Sequence, residues 1–155
     1  MQPSYLELLH SGELRKRAES AYARLADCDL CPRYCRVNRH LVADGTVCQT
    51  GVRALVHSFG KHFGYEAPLR GWHGSGAIVF SCCNLRCVYC RHKEISQKPL
   101  GWEAEPGELA NMMLALQEKG CHNINLVRAS HVVAQLVAAV SIAAQRGLAL
   151  PLVYS

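Results

Sequence analysis

The two halves of the chain differ in how regularly their hydrophobic residues recur. Across residues 4–25 apolar side chains return every three or four positions, which predicts a helix, and Gly12 after Ser11 is the point at which we expect it to break into two. Residues 28–76 contain four cysteines, several glycines and two prolines, and they show little sustained period. They predict an irregular segment, rich in loops or held together by a metal.

From Ala77 onward, short apolar runs alternate with amphipathic stretches. The pattern predicts a strand at 77–81, a helix at about 106–119, a strand at 123–127, a helix at about 132–145 and a strand at 150–154. Pro106 near the start and Gly120 just past the end of the first of these helices are typical start and stop residues. Strands that alternate with helices in this way are typical of a parallel sheet whose faces are covered by the helices.

The predicted fold class is therefore α/β. We expect a partial, incomplete parallel β/α barrel of about three strands, preceded by an N-terminal helix and a cysteine-rich irregular segment. A closed barrel of eight units needs about 250 residues, whereas residues 77–155 supply two and a half strand–helix units. The predicted division is 1–76 and 77–155, with the last strand, Leu152-Val153-Tyr154, at a sheet edge or paired with another chain.

Composition narrows the class of protein. The chain has 155 residues, half of them apolar, which fits one globular domain. Its most apolar segments, 132–144 and 77–80, are too short to cross a bilayer, and its first residues lack the apolar centre of a secretory signal. The net charge of +5 is spread over several segments, which favours a solvated basic surface over a nucleic-acid interface. We expect a cytoplasmic protein with neither a membrane nor a nucleic acid as partner.

Cysteine is the residue type that points to chemistry. In a reducing compartment nine cysteines favour metal binding or catalysis over disulfides. Cys83, Cys87 and Cys90 lie in one loop directly after the predicted strand at 77–81, and we call this loop the cysteine loop. Three thiolates under-fill a cubic four-iron cluster and leave one iron free for a ligand. The carboxyl end of a parallel strand is also where ligands bind in such folds. A zinc site with a distant fourth ligand, or buried thiols without a metal, remain as alternatives.

A second group of cysteines precedes this loop. It comprises Cys28, Cys31, Cys35 and Cys48, which we call the N-terminal cysteine set. Four cysteines that begin with a C-x2-C spacing can close a tetrahedral zinc site or hold an accessory cluster, and such a site would stabilise an otherwise irregular segment. Buried thiols without a metal are the alternative, and the spacing does not choose between zinc and iron.

Three further residues are candidates for cofactor binding. Tyr89 directly precedes Cys90 and would stand beside the open iron, where its ring could stack on a flat ligand such as adenine or simply pack. Ser130 and His131 follow the predicted strand at 123–127, so we expect them at the same edge of the sheet as the cysteine loop.

The run Phe80-Ser81-Cys82-Cys83-Asn84-Leu85-Arg86-Cys87-Val88-Tyr89-Cys90 resembles the cluster loop of the radical S-adenosylmethionine superfamily, with its C-x3-C-x2-C spacing and an aromatic residue before the last cysteine. From about residue 28 to 155 the chain resembles, more narrowly, the uncharacterised branch related to pyruvate formate-lyase activating enzyme. The stretches that carry this resemblance are Cys31-Pro32-Arg33, Val37-Asn38-Arg39, Gly74-Ser75-Gly76, Glu94-Ile95-Ser96, 118–125 and Pro151-Leu152-Val153-Tyr154.

The resemblance implies a function. Cys83, Cys87 and Cys90 would hold a 4Fe-4S cluster whose open iron binds S-adenosylmethionine, and reductive cleavage would give methionine and a 5′-deoxyadenosyl radical. That radical would abstract hydrogen from an unknown substrate, a protein glycyl residue being one candidate. A flavodoxin- or ferredoxin-like electron donor is expected, together with a protein substrate or a completing chain, and iron becomes plausible for the N-terminal cysteine set. The alternative is a non-catalytic module that binds a cluster or zinc and meets a partner through its sheet edge.

The chain departs from the family pattern at several positions. Cys82 stands where glycine is usual, Tyr65-Glu66-Ala67 stands where two glutamates and a proline are usual, and Arg128-Ala129-Ser130-His131 replaces Thr-Pro-Thr-His. The predicted barrel is also shorter than a complete one. We therefore expect a cluster to assemble while the isolated chain has weak activity or none.

Overall fold

A computed structural model describes residues 2–41 and 46–155. Residues 42–45 of the segment predicted as irregular lie outside this part. The strands are β1 (Ala54–His62), β2 (Ser75–Phe80), β3 (Trp102–Ala104), β4 (Ile124–Val127) and β5 (Leu152–Tyr154). The helices are α1 (Tyr5–His10), α2 (Glu13–Ala23), α3 (Ala67–Arg70), α4 (Lys93–Gln97), α5 (Pro106–Glu118) and α6 (Val133–Gln145), with 3-10 turns at Arg24–Asp27 and Ser130–Val132.

The five strands form one open sheet in the order β3-β1-β2-β4-β5. Strands β2, β4 and β5 are parallel, with Ile78 beside Leu126 and Leu126 beside Tyr154. These are the three strands expected from the sequence, so the α/β class is confirmed. The carboxyl ends of β2 and β4 consequently lie side by side, which sets the position of the cysteine loop and of the segment after β4.

The purely parallel character of the predicted sheet is wrong. Strand β1 runs antiparallel to both β2 and β3, so the sheet is mixed, has five strands instead of about three, and is open. Strand β1 lies within the segment predicted as irregular. In this strand only Ala54 and Val56 are buried. Its second half is mostly exposed and contains Gly60 and Lys61. Strand β3 has three residues, too few to show a period.

The two long helices supply most of the hydrophobic core. Helix α5 starts at Pro106 behind a capping box, in which the Glu105 side chain accepts from the Glu108 backbone while the Glu108 side chain accepts from the Glu105 backbone. Helices α5 and α6 pack against each other, and α5 also contacts β1, β2 and β3. The buried side chains at the centre of the core are Ile78, Phe80, Leu109, Met113, Leu116, Ile124, Val132 and Leu136.

The N-terminal helix breaks where the sequence indicates. Gly12 has φ of +74°, a left-handed conformation that costs glycine little, and it separates α1 from α2. Helix α2 packs against α6, and β1 pairs with β2, so elements before residue 76 contact elements after it. No helix in the part of the chain that the structure describes is long and apolar enough to cross a membrane.

Candidate metal centre

The cysteine loop begins where β2 ends. Ser81 continues the pairing of β2 with β1, since its amide donates to Leu55 O at 3.0 Å. The loop then leaves the sheet and returns into α4, the short helix Lys93–Gln97. Its three predicted metal ligands therefore project from the carboxyl edge of the sheet, beside the end of β4.

Cys82 forms the tight first turn of this loop. It has φ of +59°, the left-handed region in which a side chain is disfavoured and glycine is at ease. Its amide donates to Ile95 O at 3.2 Å, which ties the start of the loop to α4. The side chain is 1% exposed, and burial raises the pKa of the Cys82 thiol. Cys82 is therefore poorly suited to act as a metal ligand at neutral pH, because the thiolate is the binding form.

Cys90 has the opposite electrostatic surroundings. Its Sγ lies 3.2 Å from Ser96 Oγ. Hydrogen bonds from the Ser96 hydroxyl and the His92 backbone, with the positive charge of Arg128, hold the pKa of the Cys90 thiol below its usual value. The Cys90 amide donates to Cys87 O at 3.2 Å, which forms the turn between these two ligands. This environment favours the thiolate and hence metal binding.

The three predicted ligands share the loop without converging. Cys83 is buried, and Cys87 and Cys90 are half-buried. Within residues 2–41 and 46–155, no three His, Cys, Asp or Glu side chains are gathered as a ligand group for one ion. The chemistry of the donors fits an iron–sulfur cluster, and binding requires the sulfurs of Cys87 and Cys90 to turn toward that of Cys83.

The tip of the cysteine loop is open to solvent. The side chains of Leu85, Val88 and Tyr89 are all exposed, Val88 to 90% and Tyr89 to 85%. Tyr89 thus lies next to Cys90 in the chain with its ring in water. A large apolar and aromatic surface is presented on the outer side of the three cysteines.

His131 is hydrogen-bonded to the start of the cysteine loop. Its side chain is 1% exposed, and its Nε2–H donates to Ser81 O at 2.8 Å. Burial, aided by the nearby charge of Arg39, lowers the pKa of His131 to about 4, so the ring is neutral at pH 7. Because Nε2 carries the proton, Nδ1 carries a lone pair, and this atom has no hydrogen-bond partner in the described part of the chain.

Ser130 lies beside His131 but contacts a different element. Its Oγ accepts from the Tyr154 hydroxyl at 2.9 Å, so it joins the end of β4 to β5. Arg128, the first residue after β4, has φ of +61° and donates from Nε to Phe80 O at 3.2 Å. Arg128 therefore bridges the ends of β4 and β2, next to the start of the cysteine loop.

The N-terminal cysteine set is held by a hairpin-like turn. The Cys28 amide donates to Val37 O, and the Arg36 amide donates to Cys28 O, both at 2.9 Å. Within the turn, the Tyr34 amide donates to Cys31 O at 3.0 Å. These bonds close the turn that carries the first three cysteines of the set. A cavity of about 10 Å³ is lined by all four of them, with Arg39 and His131 also on its wall.

Two arginines connect the N-terminal segment to the cysteine loop. Arg33 donates from Nε to Asn84 O at 2.8 Å and from Nη2 to Leu85 O at 2.9 Å. Arg39, which is 2% exposed, donates to Thr50 O, Gly51 O and His131 O. Sequence reasoning assigned no role to either arginine or to Ser96. The sequence signal that could have indicated a role is that the three residues lie in stretches that carry the family resemblance, namely Cys31-Pro32-Arg33, Val37-Asn38-Arg39 and Glu94-Ile95-Ser96.

The structure therefore brings the cysteine loop, His131, Arg128 and the N-terminal segment to one edge of the sheet, with Ser130 turned to β5 and Tyr89 to solvent.

Comparisons with known protein families, with curated proteins and with solved structures find no match.

Proposed function

We propose that this chain is an iron–sulfur protein of the radical S-adenosylmethionine type, in which Cys83, Cys87 and Cys90 hold a 4Fe-4S cluster. The observation that carries the proposal is the placement of three cysteines on one loop at the carboxyl end of β2, which lies beside β4 in the parallel part of the sheet. Three thiolates leave one iron of such a cluster open, which is the position that S-adenosylmethionine would take.

The surroundings of the loop support a site that is rigid at its base. His131, Arg33 and the Ile95 carbonyl fix Ser81, Asn84 and Cys82 respectively. When bound, the cluster would supply one electron to the sulfonium of S-adenosylmethionine and so generate a 5′-deoxyadenosyl radical for hydrogen abstraction. The chain's own part is to supply thiolates, to place the positive charge of Arg128 near Cys90 and to keep the loop base dry.

The open tip suggests how partners approach. Leu85, Val88 and Tyr89 form an exposed apolar surface next to Cys87 and Cys90, which suits contact with a flavodoxin- or ferredoxin-like electron donor or with the ring of the cofactor. Such chemistry needs a reducing compartment, so we place the protein in the cytoplasm. The sheet is open and offers only part of a wall for the cofactor, so we expect the isolated chain to turn over slowly or not at all.

Anaerobic reconstitution tests the proposal. We expect the wild-type chain to gain a brown absorbance that bleaches with dithionite, to bind about four iron atoms at the cysteine loop, and to bind S-adenosylmethionine. Replacing Cys83, Cys87 or Cys90 by serine should remove these iron atoms and the cofactor affinity. Cys121→Ser is the matched control, because Cys121 is a buried thiol that lies outside both groups of cysteines, shortly before β4. Unchanged iron and cofactor binding in the three serine variants would reject the proposal.

A second candidate is a non-catalytic module that binds zinc or a cluster and meets a partner protein. The position of β5 as the outermost strand beyond β4 favours it, because one side of an edge strand is free for pairing. Protein that is colourless and contains zinc alone after anaerobic purification would support this candidate, and measurable release of 5′-deoxyadenosine would exclude it.

A further inference from the structure

The cavity behind the cysteine loop has an unusual lining. Its wall contains the four sulfur-bearing side chains of the N-terminal cysteine set, although these come from positions spread over 21 residues of sequence. Cys28 and Cys48 are 7% and 6% exposed, and Cys31 and Cys35 are half-buried. Four thiols that line one void offer the donor types of a closed structural zinc site, although within the described residues their sulfurs are not gathered as a ligand group and would have to rotate inwards.

The size of the void favours a single ion. At about 10 Å³ it holds roughly one water-sized sphere. A zinc ion bound by four sulfurs fits a space of this order, whereas a cube of four iron and four sulfide atoms would require the hairpin to open. Cys31 and Cys35 lie at the half-exposed side of the set, so their sulfurs can rotate inwards without moving the buried Cys28 and Cys48.

The charge around the void also fits. Four thiolates and one zinc ion carry a net charge of about −2, and Arg39 places a guanidinium on the same wall, with Nη1 3.8 Å from Cys28 Sγ. This contact is the kind of outer hydrogen bond that stabilises a metal-bound thiolate. Arg39 is itself fixed by backbone carbonyls of Thr50, Gly51 and His131.

A second, independent feature points to a ligand at this place. His131 lies on the same wall, is 1% exposed, and leaves Nδ1 without a hydrogen-bond partner in the described part of the chain. A buried acceptor of this kind is costly while it has no donor, so it marks this wall of the void as polar. The lining thus includes four thiols, one imidazole and the guanidinium groups of Arg33 and Arg39.

We propose that Cys28, Cys31, Cys35 and Cys48 bind one zinc ion in a closed structural site, separate from the ligands of the cysteine loop. On binding, the four thiols release four protons to solvent and each sulfur donates an electron pair to zinc, with no change of oxidation state. The ion fixes the turn at 28–37 and, through Arg33 and Arg39, the base of the cysteine loop. The proposal does not depend on cluster binding or on the cofactor.

The full-length Cys83→Ser/Cys87→Ser/Cys90→Ser variant tests it, because this variant lacks the ligands of the cysteine loop and keeps the N-terminal cysteine set. We expect it to contain one zinc ion per chain after purification and dialysis, with zinc absorption spectra that fit four sulfurs at about 2.3 Å. Adding Cys28→Ser or Cys48→Ser should lower zinc affinity at least 100-fold, while adding the control Cys121→Ser should leave it unchanged.

A chelator titration keeps the test valid where a cysteine variant fails to fold. Removing zinc from the triple variant should lower its melting temperature, and adding zinc back should restore it. Absence of zinc uptake by the triple variant, uptake of about four iron atoms in its place, or full zinc retention after Cys28→Ser or Cys48→Ser would each overturn the proposal. A spectrum with three sulfurs and one nitrogen at about 2.0 Å would overturn the all-cysteine ligand set. Failure of cluster assembly in the wild type would leave all of these zinc measurements unaffected.

Discussion

Cys28 and Cys48 are buried in the wall of a small cavity, whereas Cys87 and Cys90 lie half-exposed on a loop whose neighbouring side chains, Val88 and Tyr89, reach solvent. The N-terminal cysteine set supplies four donors from several sides, and the cysteine loop supplies three from one side. Four donors can close a metal site, whereas three donors leave a coordination position for a ligand. The two groups of cysteines are therefore proposed for different uses, one structural and one chemical.

The two regions share one support. Arg39 donates to His131 O from the side of the N-terminal cysteine set, and His131 donates to Ser81 O at the start of the cysteine loop. Arg33 adds a second link on the outer side of the loop. The predictions below compare substitutions at buried residues, which connect the two regions, with substitutions at exposed residues of the cysteine loop.

The largest effect is expected for Arg39→Met. Loss of the guanidinium leaves the buried carbonyls of Thr50, Gly51 and His131 without their donors, so the free energy of unfolding should fall by about 4 kcal/mol. Urea denaturation followed by circular dichroism measures the loss. Arg33→Met is the matched control, because Arg33 is exposed and should cost under about 1 kcal/mol. Equal losses in the two variants would contradict the distinction between the buried contacts of Arg39 and the exposed contacts of Arg33.

Acid should lower the free energy of unfolding of the metal-free protein because His131 is protonated more readily in the unfolded chain. Its pKa is about 4 in the folded chain, below the ordinary value of 6.5, so the unfolded chain binds the proton first as the pH falls. The contribution of His131 to stability is complete above pH 6.5 and is lost between pH 6.5 and about 4. The loss approaches about 1.4 kcal/mol per pH unit within that window and about 3 kcal/mol in all.

The variant His131→Gln serves as the comparison for this pH effect. It removes the titrating ring and keeps a side chain that can donate to Ser81 O. Its free energy of unfolding in urea should therefore fall less steeply than that of the wild type over the same pH range. Parallel pH curves for the two proteins would show that His131 does not carry the acid sensitivity.

At the tip, Tyr89→Ala should weaken S-adenosylmethionine binding about fivefold, because stacking of an adenine on an aromatic ring contributes about 1 kcal/mol or more. The free energy of unfolding should stay within about 0.5 kcal/mol of the wild type, since the ring is exposed. Calorimetric titration of the reconstituted protein measures the affinity. Val88→Ala, at the neighbouring and equally exposed position, should leave the affinity unchanged, and a loss of the same size there would remove the special role of the ring.

The smallest effect is expected for Ser96→Ala. The Ser96 hydroxyl is the largest contribution that lowers the pKa of the Cys90 thiol, so its removal should raise that pKa. In the metal-free protein, the pH profile of alkylation at the Cys90 peptide, followed by mass spectrometry, should shift to higher pH. Ser141→Ala on α6 is a control far along the chain, and its profile should match the wild type.

Sequence patterns predicted the elements with strong local signals. The break at Gly12, helix α5 between Pro106 and Gly120, and the parallel strands β2, β4 and β5 are in the structure close to their expected positions. Strand β1 was missed because half of it faces solvent and its pairing depends on β2, not on its own period. Whether such a segment forms a strand depends on the strands that it pairs with.

The sequence predicts the cysteines of the candidate site but not the contacts that support them. The C-x3-C-x2-C spacing predicts three ligands within one loop, and this stays a prediction. The link from Arg39 to His131 joins residues 92 positions apart, and the link from His131 to Ser81 joins residues 50 positions apart. No local pattern encodes such contacts, since they follow from the way the sheet brings distant segments together. The pKa of the Cys82 thiol is raised by burial, and that of the Cys90 thiol is lowered mainly by the Ser96 hydroxyl. The local sequence does not reveal these opposite directions.

The 50 residues that separate Ser81 from His131 have a consequence for biogenesis. At a translation rate of about 5–20 residues per second, the cysteine loop leaves the ribosome roughly 3–10 s before the histidine that underpins it. Throughout that interval its thiols lack the shielding of the folded sheet and are open to oxidants. Nascent chains arrested before β4 should accordingly react fully with a thiol reagent at Cys83, which is shielded in the finished protein.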